Sequence, residues 1–212
     1  MIFIGIAERK EREKEEMRKI ILNAAYEIIK RDGVEKISVR KIAAKIEYSP
    51  AIIYHYFENK DEIVEKLIAE QYVNMVKALS VLQVQDKKPE EKLKVCNVRF
   101  IKLAAEMGDL YKSLMMNGSP NVLARTSVLQ KGASAMRPAV AMLCSALREL
   151  PAWTDCEDGD IELTAQIIWS TAFGLSMRLI VEQVEEEQKQ RLINRAGEFI
   201  LQALENGPQI KE

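Results

Sequence analysis

The 212-residue sequence contains few of the residues from which catalytic and metal centres are built. It has one histidine, His55, and three widely spaced cysteines, Cys96, Cys144 and Cys156. An odd number of cysteines without a C-x-x-C pair fits neither a disulfide framework nor a zinc knuckle. The nucleophile-elbow, phosphate-loop, dinucleotide-binding and Glu-x-x-His patterns are also missing. These absences count against an enzyme, and we expect neither a metal nor a cofactor.

A net charge of one sign and long apolar runs are absent as well. The 31 Lys and Arg residues nearly balance the 32 Asp and Glu residues, so any nucleic-acid site must be local. The apolar start, residues 1–7, is too short for a signal peptide and runs directly into the charged residues 8–16. We therefore expect a cytoplasmic protein without a membrane segment, in which the cysteines stay reduced.

Helical periodicity dominates the sequence. Hydrophobic residues make up 48% of the chain, recur at helical spacing and show no strand-like alternation. The pattern predicts an all-α fold of about nine helices, in which residues 120–149 break near Gly132 or Pro138. The expected segments are 10–31, short helices after Ser38 and after Ser49-Pro50, a helix from Asn59 to about 82, and 90–107, 109–117, 120–149, 160–184 and 187–205, with a stop at Asn206-Gly207-Pro208.

Residues 38–57 form the most informative pattern. They indicate a helix capped by Ser38, a tight corner at Glu47, and a second short helix that begins after Ser49. This is the arrangement of a helix-turn-helix, whose second helix enters the major groove of DNA. Residues 36–60 carry five basic residues against two acidic ones, a local positive excess that agrees with this interpretation.

The second short helix has an unusual surface. Ile53 and Phe57 should face inward, which leaves apolar and aromatic groups outside and indicates a surface partner. The expected outward residues are Pro50, Ala51, Ile52, Tyr54, His55 and Tyr56. Two alternatives stay open: a helical hairpin whose aromatics join the core, and an adaptor whose aromatics bind another protein.

The stretch from Arg18 to Leu67 resembles the DNA-binding domain of the TetR family of transcriptional regulators. The residues that carry the resemblance are Ile42-Ala43, Tyr48-Ser49-Pro50, Ile53-Tyr54-His55-Tyr56-Phe57 and Asn59-Lys60. The resemblance implies that Arg40 reaches a base edge or a phosphate, that the start of the third helix faces the groove, and that the aromatic run and Lys60 hold phosphates. The candidate DNA-binding residues are Ser38, Arg40, Lys41, Ser49, Pro50, Ala51, Ile52, Tyr54, His55, Tyr56 and Lys60.

Two departures from the family pattern affect these expectations. Many members have glycine where this chain has Glu47, so the turn should be strained or differently shaped. Ala51 and Ile52 replace small polar residues, so base recognition should depend on thymine methyl contacts and DNA shape more than on hydrogen bonds.

The C-terminal part is rich in large, soft side chains that suit an apolar pocket. The candidate ligand-binding residues are Phe100, Met107, Tyr111, Leu114, Met115, Trp169, Phe173 and Met177. An ordinary core position is the alternative for each of them. This part of the chain resembles a ligand domain found in part of the TetR family, which often has histidine where this chain has Phe173. The absence of that histidine removes a polar anchor, so we expect a more lipophilic ligand. Asn117 and Gln166 are the candidate polar anchors.

Residues 160–205 are expected to form a homodimer interface, because the resemblance implies pairing through the last two helices. The apolar stripes assigned to it are Ile161, Ala165, Ile168, Ala172, Leu175 and Leu179, and Leu192, Ala196, Phe199, Ile200 and Ala203. An intrachain core is the alternative, and different faces of one helix can serve both.

The sequence therefore predicts a three-helix DNA-binding domain at residues 10–66 and a helical ligand-binding and dimerisation domain at residues 67–206. The expected function is a non-enzymatic, ligand-responsive regulator, a repressor released from palindromic operator DNA by an apolar small molecule. The alternatives from other classes are a helical protein-interaction adaptor and a helical enzyme.

Overall fold

The computed structural model describes residues 5–80, 87–118, 120–205 and 207. Within these ranges the chain forms eleven α-helices and two short 3-10 turns, without a β-strand, which confirms the all-α prediction. The helices are α1 (Ile6–Asp32), α2 (Val39–Lys45), α3 (Pro50–Tyr56), α4 (Lys60–Ser80), α5 (Pro89–Met107), α6 (Asp109–Met115), α7 (Pro120–Thr126), α8 (Ala133–Met136), α9 (Pro138–Arg148), α10 (Asp158–Glu182) and α11 (Glu186–Leu204).

The chain divides into two compact units, Met1–Gln71 and Tyr72–Glu212. The functional boundary predicted between residues 66 and 67 stays a prediction. In the first unit, α1 packs against α2 and α3. Its core consists of apolar side chains that recur at helical spacing and are fully buried, among them Ile21, Ala25, Ile42, Ile53 and Ile63.

Helix α5 is the centre of the second unit, because α6, α9, α10 and α11 all pack against it. Its buried face follows the helical repeat from Leu93 to Ala104. At Gly197 of α11 an added Cβ would lie 2.9 Å from Cγ2 of Val98 on α5, so the glycine permits the close approach of these two helices.

The predicted segment 120–149 breaks at both of the expected points and therefore gives three helices. Gly132 has a left-handed backbone (φ 80°) and precedes α8, and Pro138 is the first residue of α9. This split accounts for two of the helices beyond the nine expected. The predicted end of α4 at residue 82, residues 85 and 86 of the predicted break at 85–89, and Asn206 and Pro208 lie outside the described residues.

Most of the apolar side chains assigned to a dimer interface face the core of the subunit instead. On α10, Ile161, Ala165, Ile168, Ala172 and Leu179 are buried, as is Ile200 on α11. Leu175, Leu192 and Ala196 pack, partly buried, against the same core. The expectation of an intersubunit surface is therefore wrong for the six buried positions. For the partly buried Leu175, Leu192 and Ala196 and the exposed Phe199 and Ala203, it stays a prediction.

A different face of α10 and α11 carries exposed apolar side chains. Leu163, Ile167 and Val181 of α10 and Phe199 of α11 are each more than half exposed. Leu163, Ile167, Gly174 and Val181 lie at spacings of four and seven residues, so they share the side of α10 opposite the buried stripe. An added Cβ at Gly174 meets no atom within 4 Å, so the subunit itself gives no steric reason for this glycine.

Glu162 of α10 holds the start of α8. Its carboxylate accepts hydrogen bonds from the backbone N–H groups of Gly132 (2.6 Å) and Ser134 (2.9 Å), and from the Ser134 hydroxyl. The Ser134 hydroxyl and the backbone donors favour the ionised form and lower the pKa of Glu162 below its ordinary value.

We predict that Glu162→Gln lowers the melting temperature at neutral pH and that the difference from the wild type disappears in acid. A carboxyl whose pKa is lowered in the folded state stabilises it above the unfolded pKa of about 4.3, and that contribution is lost as the pH falls through the folded value. Thermal melting of both proteins as a function of pH measures this. Glu187→Gln, at an exposed position of α11, is the control. A difference in melting temperature between the wild type and Glu162→Gln that does not change with pH would contradict the prediction.

Candidate nucleic-acid interface and apolar cavity

The turn between α2 and α3 is built from local hydrogen bonds and one strained residue. The Ser38 hydroxyl accepts a hydrogen bond from the Lys41 backbone N–H (3.2 Å), which confirms Ser38 as the cap of α2. Glu47 has a left-handed backbone (φ 60°), and the next N–H, from Tyr48, donates to the carbonyl of Ala43 (3.0 Å). The strained corner expected at Glu47 is thus confirmed, since a residue with a Cβ rarely adopts this conformation.

The C-terminal end of α3 is bound by Arg18 of α1. Ile53 and Phe57 are buried, as predicted from their spacing. The Arg18 guanidinium lies 5.6 Å from the centroid of the Phe57 ring, and its Nη2 donates to the carbonyl oxygen of Tyr56 (3.3 Å). This cation–π contact and hydrogen bond fix α3 relative to α1.

The outer face of α3 is mostly exposed. Ser49, Pro50, Ala51, Tyr54 and His55 are exposed, whereas Ile52 and Tyr56 are only partly so. The expectation that all six aromatic and apolar residues of α3 point outward therefore holds for four and fails in part for Ile52 and Tyr56. Tyr48 at the turn is also half exposed, although the sequence argument gave it no role.

The predicted cationic positions are available on the surface. Arg40, Lys41 and Lys60 are exposed. Lys41 Nζ lies 3.8 Å from Oδ2 of Asp32, and Lys60 Nζ lies 4.0 Å from Oδ1 of Asp61. Surface ion pairs at these distances are weak, so a phosphate can replace the carboxylate partner.

An apolar cavity of about 30 Å³ lies inside the second unit. Helices α4, α5, α9 and α10 form its wall. The lining residues are Leu79, Cys96, Asn97, Phe100, Ala139, Met142, Leu143, Trp169 and Ala172. Burial raises the pKa of the Cys96 thiol, so this group stays protonated.

Two of the eight predicted ligand-binding residues, Phe100 and Trp169, line the cavity. The aromatic cluster behind them is continuous: the rings of Trp169 and Phe173 stack with centroids 5.3 Å apart, and Tyr111 meets Phe100 edge to face at 6.2 Å. The other predicted residues are not among those that line the cavity. Met107, Met115 and Met177 pack, partly buried, against the same core cluster, and Leu114 is buried.

The polar group in this wall is one that the sequence argument missed. Asn97 is buried, and its Nδ2 has no hydrogen-bond partner among the described residues. It lies four residues after Leu93 and four before Ile101, at a position where the apolar stripe of α5 predicts a hydrophobic residue. That interruption of the stripe was the available signal.

The two predicted polar anchors have other positions. Gln166 is buried, and its Nε2 donates to the carbonyl oxygen of Gln130 (3.0 Å), so its amide has a structural role. Asn117 follows the end of α6 and is not among the cavity-lining residues. Neither amide therefore belongs to the cavity wall.

In residues 5–80, 87–118, 120–205 and 207 no group of three or more His, Cys, Asp or Glu residues is placed to hold a metal ion. None of the described helices is both long and apolar enough to cross a bilayer.

Comparison with known proteins gives matches to regulators. Residues 21–67 match the family of bacterial regulatory proteins described as the tetR family. The HTH-type nicotine-responsive transcriptional repressor HdnoR of Paenarthrobacter nicotinovorans is 32% identical over 111 residues, which are 52% of this chain and 52% of that protein. The alignment therefore spans about half the length of this curated relative.

Solved structures share the fold over most of the chain. FadR of Thermus thermophilus, a TetR family transcriptional repressor in complex with lauroyl-CoA, has a TM-score of 0.59 and 18% identity over 92% of this chain and 96% of its own. SmeT, the repressor of the Stenotrophomonas maltophilia multidrug efflux pump SmeDEF, has a TM-score of 0.58 and 18% identity over 87% of this chain and 86% of its own.

We predict that Glu47→Gly stabilises the protein by about 0.5–1 kcal/mol. Relief of the left-handed backbone, worth about 1–2 kcal/mol, exceeds the extra chain entropy lost by glycine, about 0.5–1 kcal/mol. Urea denaturation measures the change. Ala44→Gly, three residues earlier at an exposed position inside α2, is the matched control and should destabilise by about 1 kcal/mol. Destabilisation by both variants would contradict the strain argument.

Proposed function

Because the chain belongs to the TetR family of bacterial regulatory proteins, we propose that it is a cytoplasmic, dimeric DNA-binding repressor that leaves its operator when a small apolar molecule occupies the cavity. The observation that carries this proposal is the exposed first turn of α3, presented after the strained Glu47 corner and held at its other end by Arg18. An exposed helix start flanked by cations matches the requirements of a major-groove reader.

The residues of the interface fall into two groups by chemistry. Ser49, Pro50 and Ala51 open α3 and are placed to meet base edges, where the Ala51 methyl group suits a thymine methyl. Arg40, Lys41, Tyr54, His55 and Lys60 are exposed donors for phosphate oxygens. Basic residues around an aromatic face favour DNA over an adaptor surface for another protein. Ile52 and Tyr56 are half-buried and are assigned to neither group. The backbone carbonyl of Tyr56 accepts a hydrogen bond from Arg18.

We predict that Lys60→Ala and Tyr54→Phe weaken binding about equally for all duplexes, whereas substitutions at Ala51 change the preferred sequence. About four phosphate contacts in each of two subunits give a slope of log K against log salt near −7. Fluorescence anisotropy with a selected operator and with random duplex measures both effects. Lys131→Ala, an exposed lysine of the second unit, removes the same charge and should change neither. A slope near zero would contradict DNA binding.

The dimer interface that we propose is the exposed apolar face of α10 and α11. Leu163, Ile167 and Val181 surround Gly174 on one side of α10, and Phe199 is 59% exposed on α11. A small residue between large apolar ones lets two helices approach closely while their neighbours bury apolar area. Two such helices from each subunit form a four-helix interface, which brings two recognition helices to one palindromic site.

We predict that Phe199→Asp converts the dimer to a monomer, since a carboxylate in an apolar interface has no partner. Sedimentation velocity at micromolar concentration measures the change in mass. Leu129→Asp, at a 68% exposed position outside these helices, is the matched control and should remain dimeric. A monomeric wild type would contradict the interface, and thermal melting of each variant separates dissociation from unfolding.

Helix α4 is the element through which we propose that the ligand acts. It is continuous from Lys60 to Ser80, carries Lys60 in its first turn, and contributes Leu79 to the cavity wall. The helix has 21 residues, and the proposal is that a shift at the cavity is transmitted along it. Its two ends thus belong to the two proposed sites.

The relatives support a ligand response but differ in their ligands. One is named as nicotine-responsive and another was solved with lauroyl-CoA. A ring compound and an acyl thioester of this size need different pockets. The identity of the ligand therefore has to come from the cavity of this chain.

A further inference from the structure

Asn97 gives the cavity a defined chemical requirement. The residue is 4% exposed, lines the cavity, and has an Nδ2 without a hydrogen-bond partner in the described part of the chain. We propose that the cavity recognises a small, uncharged ring compound with a hydrogen-bond acceptor, and that Asn97 Nδ2 is the donor to that acceptor. The inference rests on the proposed ligand-sensing function and names the ligand class for that site.

A buried donor without a partner is unfavourable, because the group loses its hydrogen bonds to water and gains none in return. Leu93 and Ile101, one turn before and after Asn97, are both fully buried and apolar. An apolar side chain at position 97 would continue that stripe without this cost. The amide is therefore explained better by a bound acceptor than by packing.

The rest of the wall determines the other properties of the ligand. Phe100 and Trp169 line the cavity, and aromatic side chains are suited to contact with another ring. The lining residues include no Asp, Glu, Lys or Arg, and the partly buried Cys96 thiol stays protonated because desolvation raises its pKa. A charged ligand would lose its hydration and meet no opposite charge.

Size favours a single ring. The cavity of about 30 Å³ has room for a few water molecules at most in this conformation. Met142, a half-buried residue of the wall, has a flexible side chain that can move to admit a ring. A long acyl chain would require a rearrangement of several packed residues.

The test uses three probes of nearly the same shape: benzene, which has no acceptor, pyridine, which has one, and N-methylpyridinium, which is charged. Their dissociation constants are measured by NMR titration of the full-length protein without DNA, at a pH where pyridine is neutral. We expect Asn97→Leu to weaken pyridine relative to benzene by about tenfold, the contribution of one hydrogen bond at the upper end of its usual range. N-methylpyridinium should bind the wild type at least tenfold more weakly than pyridine, a minimum set by the lost hydration of its charge.

The controls separate recognition from folding. Asn74→Leu, the same substitution at an exposed position of α4, should leave the ratio of pyridine to benzene affinity unchanged. Asn97→Leu should melt at the same temperature as the wild type or higher, because it removes an unpartnered donor. If the leucine is too large to fold correctly, Asn97→Ala gives the same loss of pyridine preference.

Three results would overturn the inference: an unchanged ratio in Asn97→Leu and Asn97→Ala, tight binding of N-methylpyridinium, or no binding of pyridine or benzene up to about 10 mM. Duplex binding by the ligand-free protein is measured separately. If the ligand-free protein does not bind duplex DNA, the proposed function as a regulator is contradicted. The hydrogen bond between the Asn97 amide and the ring acceptor can still be measured in that case. Intact duplex binding with any of the three negative results would defeat the ligand class alone.

Discussion

Helix α5 has to pack against four neighbours at once, and the second unit depends on this constraint. Helices α6, α9, α10 and α11 all contact it, and at Gly197 of α11 there is no room for a Cβ beside Val98. Because nearly every inward position of α5 is used for packing, a polar side chain on that face cannot turn toward water. Asn97 is such a side chain, and the cavity lies against it.

Local hydrogen bonding made the first unit predictable from sequence. Ser38 caps α2, and the side-chain oxygen of Asn59 accepts the Glu62 backbone N–H (2.9 Å) at the start of α4. Glu62 in turn accepts the N–H of Glu58 (2.7 Å), one residue before the position expected for a capping box. Such signals depend on residues three or four apart, so the sequence contains all the information they require.

The faces of the long C-terminal helices were not predictable in the same way. Helix α10 has apolar residues on opposite sides, with Ile168 buried and Ile167 exposed, so periodicity does not say which side meets α5. The same limit applies to polar residues inside these helices. Gln166 has a partner in the distant carbonyl of Gln130, and Asn97 has none among the described residues, a difference that only tertiary contacts decide.

Several positions break a local rule without a compensating contact among the described residues. Glu47 and Gln183 have left-handed backbones, and Asn97 Nδ2, Tyr111 Oη and Arg18 Nε are buried without a hydrogen-bond partner. Glu47→Gly would remove the backbone strain at Glu47, and Asn97→Leu would remove the unpartnered donor at Asn97. Neither cost is therefore imposed by the fold. Natural proteins retain such costs mainly where a function needs them. Glu47 sets the angle at which α3 leaves α2, and Asn97 provides a donor inside an apolar wall. Glu47 therefore belongs to the proposed DNA interface, and Asn97 belongs to the wall of the cavity.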